Sequence, residues 1–275
     1  MNPTRFSAQL LEVITIARAA GDAIMQVYHS DDAGITHKSD DSPLTRADLA
    51  AHQVIVSGLA TLNPHYPILS EEAADIAYAE RSTWVRYWLV DPLDGTKEFI
   101  KRNGEFTVNI ALIENGMPIL GVVYAPVLDV CYYGSVGEGA FVQRGKDAAQ
   151  AIHTVVAAEN ETIKVVASRS HSDERTAALL QKLGKVECIS MGSSLKLCLV
   201  AEGAAHFYPR LGPTMEWDTA AAHAVVNAAG GKVCRADGSA LSYNKENLLN
   251  PEFFVMAQSK QANPLDTVMS RTSFS

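Results

Sequence analysis

"WLVDPLDGTKEF", residues 88–99, is an apolar run that ends in acids. Trp88, Leu89 and Val90 read as a buried strand closed by Asp91. Pro92 cannot extend a hydrogen-bonded ladder, and Asp94-Gly95-Thr96 reads as the start of a helix. Two accounts fit these residues. One is a turn with an N-cap, since Asp and Thr stabilise such positions by roughly 1 kcal/mol. The other starts from cost: two carboxylates this close repel unless a cation neutralises them, and an all-oxygen ligand set suits Mg²⁺. Gly95 permits close backbone approach, and the N–H groups of a helix start are a ready place for a phosphate.

Upstream, Leu10, Ile14, Ala17, Ala20, Ile24 and Val27 recur at helical spacing and predict an amphipathic helix over 7–28. A second helix follows "SPLTRAD", running from 46 until Asn63-Pro64 stops it. "YPILSEE" (66–72) and "TWVRYWLVDP" (83–92) read as short buried strands that each end in acids. Residues 106–142, punctuated by Asn115-Gly116, Ala125-Pro126 and further glycines, carry the signature of antiparallel strands joined by turns. A polar, Ala/Gln-rich stretch over 145–161 marks the boundary between an N-terminal α+β half, 1–150, and a C-terminal α/β half, 151–275. In the second half strands ("TIKVVASRS", "VECIS", "AAHFYPR") alternate with helices ("SDERTAALLQKLG", "SLKLCLVAEG", "WDTAAAHAVVNAAGG"). The expectation is a layered α+β protein.

With 275 residues, 47% of them hydrophobic, the chain can bury one large core or two modest ones. Lys+Arg 23 against Asp+Glu 31 leaves a net charge of -8, so the bulk field opposes nucleic acid polymers and anionic lipid. An anionic small-molecule substrate then requires local cations or metal ions. Four scattered cysteines form no C-x-x-C pair and fit a reduced setting. The N-terminal segment lacks the pattern of a signal peptide and no apolar run reaches membrane-spanning length, so a soluble cytoplasmic protein is expected.

The remaining acids are each ambiguous alone. Glu71-Glu72 closes a strand but reads equally as solvated surface. Thr45-x-x-Asp48 matches a capping box, and Asp218 suits an N-cap. The eight histidines show no metal-ligand spacing, and His52 and His223 read as packed or surface helix residues. Ser193 and Ser194 lack the nucleophile-elbow pattern, Cys198 has no histidine signal beside it, and neither a dinucleotide fingerprint nor a P-loop is present.

In combination the pattern is specific. Glu71-Glu72, then "DPLDGTKEF", then Trp217-Asp218 opening an Ala-rich helix, in that order, resembles the inositol monophosphatase superfamily. "SPLTRADLAAH", "PILSEE", the passage over 88–127, "SRSH" (168–171), "GSSLK" (192–196) and "YPRLGPTMEWDTAAAHAVV" (208–226) resemble its 3′(2′),5′-bisphosphate nucleotidase branch. Only the polar middle and the extreme C-terminus diverge.

The resemblance implies a layered αβαβα sandwich of the inositol monophosphatase and fructose bisphosphatase type, with Mg²⁺ clustered between the halves. It matches Glu71, Asp91, the Leu93 carbonyl, Asp94 and Asp218 to metal ligands, with Glu72 left out of that set. Glu71 and Thr96 would orient a water, with Asp48 accepting a hydrogen bond from Thr96. Leu93, Asp94, Gly95, Thr96 and Asp218 would meet the reacting phosphate, and Ser193, Ser194, Lys196 and Arg210 a second one. The implied reaction is hydrolysis of 3′-phosphoadenosine 5′-phosphate (PAP) to AMP and phosphate, with the sulfated precursor PAPS as a further substrate, and sensitivity to Li⁺. The rivals are an inositol or sugar monophosphatase and a non-catalytic sensor of a phosphorylated ligand. Peripheral attachment to the inner membrane belongs to the resemblance alone, since no amphipathic basic helix supports it.

Overall fold

The computed structural model describes residues 7–30, 34–37, 43–158, 161–167 and 174–258. The "SRSH" motif over 168–171 lies outside them. Helix α1 (Ala8–Tyr28) starts where the apolar spacing predicts, with the Ser7 hydroxyl accepting from the Leu10 N–H (3.3 Å). Its buried stripe runs from Leu10 to Ile24 and ends on Tyr28, one turn past Ile24, leaving Val27 half-exposed. A two-residue pair, β1 (Thr36–His37) with β2 (Pro43–Leu44), precedes α2 (Arg46–Leu59), whose start carries the Thr45/Asp48 capping box.

From there the chain builds a seven-stranded sheet. Strand β3 (Ile68–Ser70) runs into a 3₁₀ turn (Glu71–Ala73) and α3 (Tyr78–Arg81), then β4 (Arg86–Asp94) returns parallel to β3. Short α4 (Thr96–Ile100) leads to the antiparallel meander β5 (Thr107–Glu114), β6 (Met117–Ala125), β7 (Val130–Ser135), β8 (Gly139–Arg144) and β9 (Gln150–Ile152). Strand β9 falls inside the polar stretch that reads as a connection; only its final Ile152 is buried, so no apolar alternation announces it.

A second, five-stranded sheet follows from β10 (Ile163–Ala167), α5 (Glu174–Leu183), β11 (Val186–Ser190), α6 (Leu195–Ala201), β12 (Phe207–Arg210), α7 (Glu216–Ala228), β13 (Gly231–Arg235) and β14 (Phe253–Ala257). Its order is β11-β10-β12-β14-β13, parallel across β11, β10 and β12 and antiparallel across β12, β14 and β13.

Two-residue periodicity assigns the layers. Trp88, Val90, Val108 and Ile110 face α1 and α2, whereas Tyr87, Leu89, Ala111 and Val123 face inward. The inner faces of both sheets enclose α6 and α7, and α5 covers the outer face of the second sheet through Leu179 against Val165, Phe207 and Phe254. This is the αβαβα order the resemblance implies. Helix α7 fits between two sheets because Ala220, Ala221, Ala222 and Ala224 keep it thin. Gly121 on β6 admits it, since a Cβ there would collide with the Ala221 carbonyl. The consequence is that the first turn of α7 reaches the end of β4.

His223 of α7 is 1% exposed, with Nδ1 2.9 Å from the Tyr243 hydroxyl, and burial pushes its pKa from 6.5 down to about 3. Between those values the unfolded chain binds a proton that the folded chain refuses, so stability falls on acidification by up to about 1.4 kcal/mol per pH unit. Replacing His223 with Gln should remove about one proton from the pH dependence of urea unfolding over that window. An unchanged dependence would mean that the imidazole is protonated in the folded state.

Candidate metal centre and anion cleft

The pairing of β4 with β5 explains how two acids come to lie together. Asp91 faces Asn109 and Asp94 faces Thr107, so three residues of β4 span two of β5. The extra residue is a β-bulge that reverses the alternation, and Asp91 and Asp94 leave the sheet on the same side. Within the bulge the Leu93 N–H donates to Asp91 Oδ1 (3.0 Å). Gly95 follows with φ 95°, a left-handed conformation that favours glycine, and the Ser193 hydroxyl fills the space its Cβ would occupy.

Two further elements bring acids to the same point. Strand β3, parallel to β4, ends beside it and delivers Glu71, while α7 delivers Asp218, whose Oδ2 accepts from the Met215 N–H (2.8 Å). Carboxylate oxygens of Glu71, Asp91 and Asp218 lie within 4.8 Å of one another. Asp91 is 1% exposed, and its charged neighbours Glu71, Asp94, Asp218 and Asp48 are all acids. Burial, then these like charges, push its pKa well above the carboxylate range; burial, then Asp94, do the same to Asp218. Asp94 rises to about 6 by burial, opposed first by Lys196 and then by the Ser194 N–H. Buried acids that hold protons this tightly, offering oxygen alone, fit a hard divalent cation that would displace those protons.

Asp48 and Thr96 adjoin this cluster. Asp48 Oδ2 accepts from the Thr45 N–H (2.8 Å) and hydroxyl (2.6 Å), while Oδ1 lies 3.3 Å from Thr96 Oγ1. Thr96 Oγ1 is also 3.5 Å from the Leu93 carbonyl. Capping and contact with Thr96 are thus both performed by one side chain.

The cleft beside the acids is lined by Asp94, Gly95, Lys196, Tyr208, Arg210 and Asp218. Burial lowers the Lys196 pKa and Asp94 partly restores it. Arg210 Nη2 donates to the Pro213 carbonyl (2.8 Å) and the guanidinium also hydrogen-bonds Tyr208, while its buried Nε has no partner among the described residues. Ser193 and Ser194 also line the cleft, with their hydroxyls engaged by protein partners. Ser193 Oγ donates to the carbonyls of Asp94 and Glu105, both at 2.8 Å. Ser194 Oγ donates to Asn109 Oδ1 (2.8 Å) and lies 2.9 Å from the Thr107 hydroxyl; its N–H donates to Asp94 Oδ2 (2.6 Å).

Sequence reasoning passed over Asn109, Thr107, Glu98, Thr214 and Thr219, although the last three also line the cleft. One signal was available: Thr107 and Asn109, spaced by two, are polar residues within a strand whose only other polar residue is its last, Glu114.

The family model described as "Inositol monophosphatase family" matches residues 8–268. The 3′(2′),5′-bisphosphate nucleotidase CysQ of Salmonella typhimurium is 54% identical over 248 residues, covering 90% of this chain and 98% of that protein. The protein of the same name from Escherichia coli strain K12 is 53% identical over 246 residues, 89% of this chain and 98% of that one. Among solved structures, CysQ from Bacteroides thetaiotaomicron superposes with a TM-score of 0.82 at 43% identity, covering 94% of this chain and 100% of that chain. An inositol monophosphatase from Anabaena superposes with a TM-score of 0.75 at 25% identity, covering 97% of each chain.

A carboxyl whose folded pKa exceeds its unfolded one holds a proton that the unfolded chain has released. The metal-free protein therefore loses stability as pH rises through the folded values. Asp91→Asn keeps the acceptor for Leu93 while removing one buried charge. At alkaline pH it should raise the metal-free Tm by about 2–6 °C and abolish the further rise on adding Mg²⁺. A variant that Mg²⁺ stabilises as well as the parent protein would remove Asp91 from the metal centre.

Proposed function

Because the chain belongs to the inositol monophosphatase family, we propose that it is a 3′(2′),5′-bisphosphate nucleotidase that hydrolyses PAP to AMP and phosphate, with PAPS as a second substrate. One observation carries this reading: oxygens of Glu71, Asp91 and Asp218 within 4.8 Å of one another, beside a cleft that also contains Lys196 and Arg210. Carboxylates alone would repel a phosphomonoester; a bound divalent ion, Mg²⁺ in this reading, supplies charge neutralisation and a more acidic water. Glu71, Asp91, the Leu93 carbonyl, Asp94 and Asp218 hold it.

The rest is positioning by the chain. The Thr96 hydroxyl donates to Asp48 Oδ1, whose other oxygen is already engaged by Thr45, so the Thr96 oxygen is left to accept a hydrogen bond from the attacking water. Glu71 accepts the water's other hydrogen bond and fixes the line of attack. Gly95 and Thr96 offer backbone N–H groups to the reacting phosphate. Arg210 offers its guanidinium to the second phosphate, and Lys196, which is under the charge of both Arg210 and Asp94, adds a point charge. Ser193 and Ser194 act through their backbone and by holding the Asp94 loop. The reaction takes place in the cytoplasm, consistent with four free cysteines; among the described residues no helix is long and apolar enough to cross a membrane.

An inositol or sugar monophosphatase would use the same acids, and the similarity to an inositol monophosphatase fold keeps it as the second reading. Phosphate release from a panel of 3′,5′-bisphosphonucleotides and inositol phosphates, with and without Mg²⁺, separates the two. Turnover of PAP that survives excess chelator would overturn the metal mechanism.

Arg210→Ala and Lys196→Ala should each raise KM for PAP by the equivalent of about 1.5–3 kcal/mol of lost charge-assisted contact. The ratio of kcat/KM for PAP to that for a small monoester should fall in both, more cleanly for Arg210, since the Lys196 ammonium also acts on Asp94. If the two substrates suffer equally, these residues support the reacting phosphate or the fold instead.

Li⁺ should inhibit at limiting Mg²⁺, because a small monovalent ion can enter a carboxylate site without supplying the divalent charge. A rate indifferent to Li⁺ under those conditions would count against the site.

A further inference from the structure

Two residues before Asp218 lies a carboxylate with a different fate. Glu216 is 0% exposed, yet it is charge-paired and saturated: Oε2 accepts from the Asn244 N–H (2.7 Å), and Oε1 from the Lys245 N–H (2.9 Å) and the Lys245 ammonium (2.5 Å). Burying a carboxylate costs several kcal/mol unless all its lone pairs are met, so α7 and the segment after Tyr243 are obliged to stay together.

That segment grips the start of α7 from several directions. The Glu216 N–H donates to the Leu248 carbonyl (2.9 Å) and the Asn250 N–H to the Thr214 carbonyl (2.8 Å). The Asn250 side-chain amide donates to the Met215 carbonyl (2.7 Å) and the Thr219 hydroxyl (3.1 Å). Thr214 and Thr219 line the cleft on either side of Asp218.

The same segment is tied to the strand-β3 side of the site. Arg81, 3% exposed at the end of α3, donates to Asn244 Oδ1 (2.9 Å), the Lys245 carbonyl (3.2 Å) and the Glu246 carbonyl (3.3 Å). The Asn244 amide returns a bond to the Arg81 carbonyl (2.7 Å), and Arg81 Nε holds the Ile76 carbonyl (3.1 Å), just beyond the 3₁₀ turn that carries Glu71. Asn244 has φ 67°, a left-handed turn that Asn tolerates and that aims its N–H at Glu216.

We infer that Glu216, Asn244, Lys245 and Arg81 form a buried brace that fixes the distance between Glu71 and Asp218 and thereby sets the affinity of the metal centre. They are positioning residues, and the inference rests on Glu71 and Asp218 being metal ligands. Every link is a charge-assisted or reciprocal hydrogen bond in a partly buried setting anchored on the buried Glu216 and Arg81, where small displacements are costly. The brace therefore holds two repelling carboxylates at a fixed spacing before the cation arrives, which lowers the reorganisation that binding would demand.

The test measures Mn²⁺ binding to the full chain by electron paramagnetic resonance, together with metal-free Tm and the Mg²⁺ dependence of PAP turnover, in Glu216→Gln, Asn244→Gly and Asp218→Asn. Asn244→Gly preserves the left-handed turn and the N–H bond to Glu216 while removing the reciprocal side-chain pair with Arg81, whose bonds to the Lys245 and Glu246 carbonyls remain, so it weakens the brace and carries the test if Glu216→Gln does not fold. The brace predicts Mn²⁺ Kd raised by about 10–100-fold in Glu216→Gln and by less in Asn244→Gly, at temperatures far below each Tm. It also predicts that excess Mg²⁺ restores kcat with KM for PAP little changed. A lowered Tm with parental Mn²⁺ affinity, while Asp218→Asn loses affinity, would make the network structural only and overturn the inference. Parental affinity in Asp218→Asn as well would overturn the ligand assignment beneath it.

Discussion

Carboxylates that repel one another are held together at the end of β4, and the surrounding structure resists that repulsion. Asp91, Asp94, Asp218 and Glu71 come from three separate elements, and burial and mutual charge raise the proton affinity of the first three. Left to themselves such groups would separate or stay protonated. They are fixed instead by backbone geometry: a bulge for Asp91 and Asp94, a parallel strand pair for Glu71, and the first turn of a buried helix for Asp218.

The hydrogen bonds around the cluster serve this restraint. Leu93 holds Asp91, Ser194 and Asn109 hold Asp94, Thr45 holds Asp48, and Met215 holds Asp218. Each donor fixes one carboxylate oxygen and turns the side chain, so a second oxygen stays available to a cation that displaces the protons these acids hold. Ser193 illustrates the distinction between touching a ligand and shaping its site. Its hydroxyl bridges the carbonyls of Asp94 and Glu105 and lies against the bare Cα of Gly95, so the turn can close tightly around the position where a phosphate would approach.

The layered architecture has the same purpose. An alanine-rich helix between two sheets can approach both closely, and the glycine at 121 brings α7 within contact of β6. Dispersion and burial across that three-layer core supply the rigidity that the acids need. The metal-free centre is a local destabilisation tolerated because the core around it is large.

The sequence by itself located the periodic elements and pointed to the family, but not how the acids meet. Three-residue and four-residue spacing located α1, two-residue alternation located the strands, and the order of Glu71-Glu72, "DPLDGTKEF" and Trp217-Asp218 pointed to a phosphatase family, because these are local patterns set by backbone periods and residue chemistry. The distances were not local. Nothing in "DPLDG" states that the bulge puts both side chains on one side, since that depends on the register with Asn109 and Thr107. "GSSLK" gave no sign that its two hydroxyls bond Glu105 and Asn109, residues 88 and 85 positions away, while both serines still line the cleft. Strand β9 carried too few apolar residues to be heard, and its place comes from pairing with β8. Glu216 lies in the first turn of α7, but its partners at 244 and 245 are 28 and 29 residues distant, and no local pattern announces them.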